Sequence, residues 1–309
     1  MTSNQDSKHL LQDDTRLRAL SNALTLVASE PVVLAQYELT ARHEFAQLWP
    51  DDHRAAFDAR VNNVVEHLGG PPPFYVVKDG KKPPPSDKYP EAAMSELFAV
   101  FSRARNSVLR AHIFNAGSLM LAQNPDLLET PQDPASRQLL VAQTQHAFWE
   151  HAEAAYIRLY SYWDRVGQVL DFAFFNIRKF DQNGFNSVMD RIHANAVPMD
   201  DQLKSSRSWK QLRDFQNSNK EDGLKWLLQR RNLVVHSLHL HPLPEDEDSV
   251  FTSQFNHLEK AHREKLRPRA PAEEVRLLVN QLNKAGELFE SVLRVVLLSP
   301  SRRRDCFIR

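Results

Sequence analysis

A single cysteine, Cys306, is present in 309 residues. No disulfide within the chain is possible, and a cysteine-based metal site is excluded; such usage favours a reducing compartment. Glycine is scarce at 8 residues, and no glycine-rich phosphate loop, serine elbow or Walker-type motif occurs, which argues against a nucleotide-driven enzyme. Strand-like alternation is nearly absent. Neither sign of charge dominates: 39 basic side chains face 39 acidic ones. Bulk charge therefore does not advertise nucleic-acid binding, although a local basic patch suffices for it. Residues 1–18 are polar and lack the apolar core of a signal peptide. The C-terminal aliphatic run is interrupted by Arg294, far short of a membrane span. A soluble cytoplasmic protein, with no membrane partner, is the expectation.

What remains is helix-forming sequence. Leu, Ala, Gln, Arg and Glu dominate, and hydrophobic residues make up 42% of the chain, enough for a real core. Leu17, Leu20, Leu24 and Val27 recur at helical spacing; Leu34, Tyr37, Ala41, Phe45 and Leu48 follow a fresh start at Pro31. Phe57, Val61, Val64, Val65 and Leu68 form a third stripe, stopped by Gly69-Gly70. These predict an N-terminal helical segment over 1–68. The segment 69–90 holds Pro71-Pro72-Pro73 and Pro83-Pro84-Pro85. Proline lacks an amide donor and fixes its own φ, so this stretch reads as a linker or loop. A main helical body spans 91–300, and 301–309 is a basic tail. Met94 to Leu119 predicts one long helix. Trp149, Ala152, Tyr156, Leu159, Trp163, Val166, Leu170, Phe174 and Ile177 predict another, with Trp163, Tyr160, Phe174 and Phe175 as core. Shorter helices are expected over 185–197 and 209–215, then Leu224 to Leu240, then a last helix from Pro271. Long amphipathic helices joined by polar loops make an all-α bundle.

One stretch carries chemistry: Arg231-Asn232-Leu233-Val234-Val235-His236. Arginine holds a phosphate-like anion by a forked pair of hydrogen bonds, and histidine moves a proton near neutral pH. On a helical wheel Leu224, Leu227, Leu228, Val234, Val235 and Leu238 fall within about 60° of Arg231, which puts Arg231 in the apolar stripe. Asn232 lies about 100° and His236 about 140° away, on its edge beside His239. A single ideal helix therefore does not set Arg231 against His236, and a second copy across a two-fold axis would supply the missing half. The simpler reading of the same residues is a core ion pair between Arg231 and Asp164. His236, His239 and His241 could suggest zinc, but His241 precedes Pro242 at a helix end and no acidic ligand has helical spacing, so no metal or other cofactor is expected. Arg103, Arg105 and Arg110, with His112, and separately Lys204, Arg207, Lys210 and Arg213, could steer an RNA backbone or be solvated helix faces.

The Arg-Asn-x-x-x-His spacing late in a long-helix bundle resembles the HEPN superfamily of ribonucleases and RNA-binding domains. Ser161-Tyr162-Trp163-Asp164-Arg165-Val166-Gly167, followed by Leu170 and Phe174-Phe175, is similar to the aromatic second helix of a HEPN subfamily. The resemblance covers about residues 91–300; the N-terminal segment and the Pro-rich insertion have no counterpart in a minimal domain. It implies a bundle that dimerises around the motif, and a metal-independent endoribonuclease acting as a toxin or defence factor on RNA. Arg231, Asn232 and His236 would be catalytic, with Asp164 in support and Glu153 behind it. Arg103, Arg105, Arg110 and Lys210 would bind substrate, and an antitoxin or regulatory protein would be a further partner. Toxins of this kind that are controlled by nucleotidyltransferases carry Tyr two residues after the His; Leu238 stands there, so the resemblance does not extend to that modification. The alternative is a catalytically silent module of the same type that binds RNA or dimerises.

Overall fold

The computed structural model describes residues 3–40, 45–48, 53–69, 89–123, 133–175, 184–236 and 269–300. Among these every regular element is helical, as the scarcity of glycine and of strand-like alternation predicts. The chain divides into two compact units, residues 1–43 and 44–309.

The first unit is built on α1 (Ser3–Thr40), which runs unbroken through Pro31. The sequence pattern placed a fresh helix start at that proline. Instead the ring sits within one helix, with Val32 and Val33 exposed at 55% and 51%. Leu17, Leu20, Leu24, Leu26, Val27 and Leu39 are exposed as well. The stretch Thr15–Thr40 is long and apolar enough to cross a membrane by length and composition, with mean hydropathy 1.2. Splitting the helix at Pro31 hid that stretch from the sequence pattern.

The second unit is the bundle. It comprises α2 (Arg54–Leu68), α3 (Tyr89–Gln123), α4 (Pro134–Phe175), α5 (Phe185–Asn195), α6 (Asp201–Ser205), α7 (Arg207–Asn217), α8 (Leu224–His236) and α9 (Pro271–Leu297). The unit boundary falls before α2, not after it. Phe57 packs on Phe98 of α3 and Phe289 of α9, Arg60 pairs with Glu290, and the His67 ring meets Ser299. Those partners are distant in sequence, so local pattern assigned α2 to the wrong neighbour. The Pro-rich stretch, apart from Gly69, Tyr89 and Pro90, lies outside the described residues, as do residues 237–268 and the basic tail.

The antiparallel pair α3–α4 forms the spine. At 42 residues, α4 runs about 63 Å at 1.5 Å per residue. Its start is capped by Asp133, which accepts from the Ser136 backbone N–H at 3.0 Å; these bonds hold the Asp133 carboxyl below its usual range. Trp149, Ala152, Tyr156, Leu159, Trp163, Val166 and Leu170 are all buried, as their three- and four-residue spacing predicts. Trp163 anchors the short helices, with Phe215 of α7 at 4.3 Å and Phe185 of α5 at 5.1 Å. Burying a side chain of that size is worth enough that truncation to alanine typically costs about 3–5 kcal/mol. Gly167 lets α5 approach α4: a Cβ there would lie 2.7 Å from Phe185 Cα. Phe174 and Phe175, expected in the core, are half-buried, and Phe175 carries the Arg191 guanidinium 4.1 Å above its ring.

Pro271 opens α9 at its first turn, and Val275, Leu278, Leu282, Ala285, Phe289, Val292 and Val296 all face the core. Gln281 of α9 donates to the Glu221 carbonyl at 2.7 Å and to Gly223 at 3.1 Å. That grip fixes the turn from which α8 departs.

Candidate functional site

The buried face of α8 is not the one the wheel selected. Leu224, Trp226, Leu227, Arg230 and Leu233 are buried, whereas Arg231, Asn232 and Val234 are half-buried and Val235 is 43% exposed. The centre of burial lies about 95° round the helix from Arg231, at Arg230. The apolar residues of α8 surround it too evenly for periodicity to choose between adjacent arginines.

Arg230 is the core guanidinium. It hydrogen-bonds Glu274 of α9, whose side chain is 0% exposed. Tyr156 of α4 donates to the other carboxylate oxygen of Glu274 at 2.6 Å. The Arg230 guanidinium lies 5.5 Å from the Tyr156 ring centroid and 5.8 Å from that of Trp226. Burial and the adjacent Glu274 charge push the Tyr156 hydroxyl far above its ordinary pKa. Among the described residues, one Arg230 hydrogen-bonding atom, Nε, has no partner. This buried triad ties α4, α8 and α9 together. Sequence reasoning missed it because Glu274 lies 44 residues from Arg230.

Arg231 is held at the edge of the bundle. Its Nη1 donates to Asn232 Oδ1 at 3.0 Å, and its guanidinium lies 5.7 Å from the Tyr160 ring centroid. Tyr160 and Asp164 are one turn apart on α4. Asp164 is half-buried, and among the described residues its Oδ1 accepts no hydrogen bond, in a space where only a glycine, Gly184, leaves room. Burial raises its pKa, opposed by the Phe185 backbone N–H and by the charges of Arg231 and Arg165. Asp164 thus faces two neighbours through space, the start of α5 and Arg231. Burial likewise raises the Tyr160 hydroxyl, reinforced by Asp164 and opposed by Arg231. The expected core ion pair between Arg231 and Asp164 is not formed; the core pair is Arg230–Glu274.

Position 236 lies one turn beyond Asn232 at the end of α8, and the placement of the His236 side chain, of His239 and of His241 lies outside the described residues. Glu153 shares a side of α4 with Asp164 but stands about 16 Å away along the axis. Among the described residues no three His, Cys, Asp or Glu side chains gather as a metal site.

The basic residues separate into different places. Arg105 donates Nε to the Ala46 carbonyl at 3.1 Å. Asn283 receives the Ala46 N–H at 2.9 Å, so Arg105 helps clamp the 45–48 segment onto the bundle. Lys204, Arg207 and Lys210 are exposed on α6 and α7, while Arg213 is engaged by Asp190 and Gln216. Arg103 and Arg110 share one face of α3, opposite Arg158 of α4. Tyr160, read from sequence as core, is the residue that the sequence pattern undervalued; its position four residues before Asp164 was the available signal.

No known protein family, curated protein or solved structure matches the chain.

Proposed function

We propose that the chain is a metal-independent endoribonuclease of HEPN type, with Arg231, Asn232 and His236 as its working residues and Asp164 in support. One observation carries the reading. Of two adjacent arginines on α8, Arg230 is neutralised in the core by Glu274, whereas Arg231 stays at the edge beside Asn232, Tyr160 and Asp164. Arg231 is the cation of the motif because it stands half-buried at the bundle edge, whereas Arg230 is enclosed in the core.

In this mechanism a ribose 2′-oxygen attacks the adjacent phosphorus and the 5′-oxygen leaves. The imidazole of His236 takes the 2′-hydroxyl proton, and the same residue of a second copy delivers a proton to the departing 5′-oxygen. Arg231 stabilises the charge that accumulates on the phosphorane oxygens. Asn232 orients Arg231, as its Oδ1 contact indicates. The products are a 2′,3′-cyclic phosphate and a 5′-hydroxyl. A toxin or defence role, a regulatory partner and a homodimer belong to the same proposal.

The test is RNA cleavage by purified protein with chelator present. Cleavage that disappears in Arg231→Ala and His236→Ala supports the proposal; undiminished cutting by His236→Ala removes it. The second reading, a catalytically silent RNA-binding or dimerisation module, draws on the close packing of Asp164 against Gly184 at the start of α5, a purely architectural job. Expression that is harmless, alongside RNA binding without cleavage, favours that reading.

A further inference from the structure

Arg158 of α4 is a half-buried guanidinium on the seam between α3 and α4. Its Nη1 donates to Ser107 Oγ and, at 3.5 Å, to the Arg103 carbonyl. Both acceptors are neutral. Among the described residues no carboxylate pairs with it. Two cations act on it as well: besides burial, Arg110 and Arg103 both lower the pKa of the Arg158 guanidinium. Leaving a desolvated cation beside two others is costly, and an anion in contact with it relieves that cost.

The neighbours form a line. Arg103 Nη2 lies 3.2 Å from Glu96 Oε1, and Arg165 Nε lies 3.8 Å from the same oxygen. One carboxylate thus serves two arginines at one end of the seam. Arg103 and Arg110 on α3, like Arg158 and Arg165 on α4, are seven residues apart, which repeats a charge every ~10.5 Å along parallel axes. The series Arg110, then Arg103 with Arg158, then Arg165 extends about 20 Å by the same rise. Arg103 remains 56% exposed and Arg165 41% exposed. A linear row of guanidinium forks fits a chain of tetrahedral anions better than one isolated carboxylate. Arg158 projects from a different side of α4 than Tyr160 and Asp164; Arg165, at the end of the seam, still acts on Asp164, so it is the centre of the seam that is separate from the Arg231 cluster.

We propose that the α3–α4 seam is a phosphodiester-binding track for single-stranded RNA, centred on Arg158 and flanked by Arg103 and Arg110. The identity of the polyanion rests on the RNA reading above. The track explains how a chain of zero net charge holds RNA, since a local patch supplies the counter-charge.

The experiment is fluorescence anisotropy of the full chain with a 20-nucleotide single-stranded RNA, 2′-O-methylated to prevent cleavage, over a salt series. Three phosphate contacts give a log–log salt slope near about −2, at roughly 0.7 per contact for a single strand. Arg103→Gln and Arg158→Gln are each expected to weaken binding several-fold at low salt and to flatten the slope by about 0.7. Arg158→Lys should keep the slope and lose part of the affinity, because the charge stays and the fork goes. Arg103 is mostly exposed, so its variant folds even if Arg158→Gln does not. Unchanged affinity and slope in Arg103→Gln and a folded Arg158 variant overturn the track while leaving the nuclease proposal standing. Arg231→Ala that loses cleavage yet keeps binding separates the two sites. No RNA binding by the wild type at low salt overturns both proposals, and binding of polyglutamate alone overturns the track as an RNA site.

Discussion

Removing the Glu274 carboxylate is the sharpest test of how the bundle is held around its candidate site. The side chain is 0% exposed and takes hydrogen bonds from both Arg230 and Tyr156. Glu274→Ala strands the Arg230 charge in the core and leaves the Tyr156 hydroxyl without its acceptor. Breaking one side of a buried ion pair costs about 3–5 kcal/mol. For a unit of this size each kcal/mol lowers Tm by roughly 2–4 °C, so the expected fall is roughly 6–20 °C. Thermal unfolding followed by circular dichroism measures it. Glu274→Gln keeps the volume and the Tyr156 hydrogen bond, and belongs at the lower end of that range. The informative companion is the triple change Arg230→Met, Tyr156→Phe and Glu274→Leu. Replacing all three polar groups by apolar ones of similar size removes every desolvation penalty, and stability is expected near or above the wild type. A Tm loss below about 2 °C in Glu274→Ala would refute the reasoning, since that is under 1 kcal/mol.

Asp164→Asn keeps the shape of the side chain beside Gly184 and discards a half-buried charge. Because burial raises the folded pKa above the ordinary aspartate value of 3.8, the wild-type carboxyl contributes its stability when protonated and loses it as pH rises through the folded pKa. The variant is therefore expected to gain stability relative to wild type between pH 4 and 7, with no gain at pH 3, in paired urea titrations; a variant less stable at pH 7 contradicts this. Gly167→Ala places a Cβ 2.7 Å from Phe185 Cα, and chemical denaturation should show a loss of about 1–3 kcal/mol, the usual cost of overpacking. Trp163→Ala empties the space between α4, α5 and α7 at a cost of about 3–5 kcal/mol, read from the same titration. The nuclease proposal requires two copies, so light scattering should report a dimer under conditions where RNA is cut; a strict monomer that cuts RNA defeats the paired-motif mechanism.

Much of the fold was legible in the order of residues. Three- and four-residue spacing along α3, α4 and α9 reports one buried face each, because those helices are apolar on one side and polar on the other. The start of α9 is marked by Pro271, whose ring avoids a first-turn amide donor. Residues around Arg231 were visible as a chemical motif for the same local reason: a cation, an amide and an imidazole within six positions of one helix.

What local order could not decide was which arginine enters the core. Arg230 and Arg231 differ by about 100° on a helix whose apolar residues nearly encircle it. The choice is made by Glu274 and Tyr156, brought to Arg230 by the packing of α9 and α4. Likewise Pro31 reads as a break in isolation, and α2 reads as part of the N-terminal segment, until Phe289 and Glu290 supply its true neighbours. Arg103 and Arg105 look equivalent in sequence, yet one joins the arginine row on the α3–α4 seam and the other clamps Ala46. Helix type and helix faces follow from short-range periodicity. The partner of a buried charge is a long-range contact, and only the assembled bundle determines it.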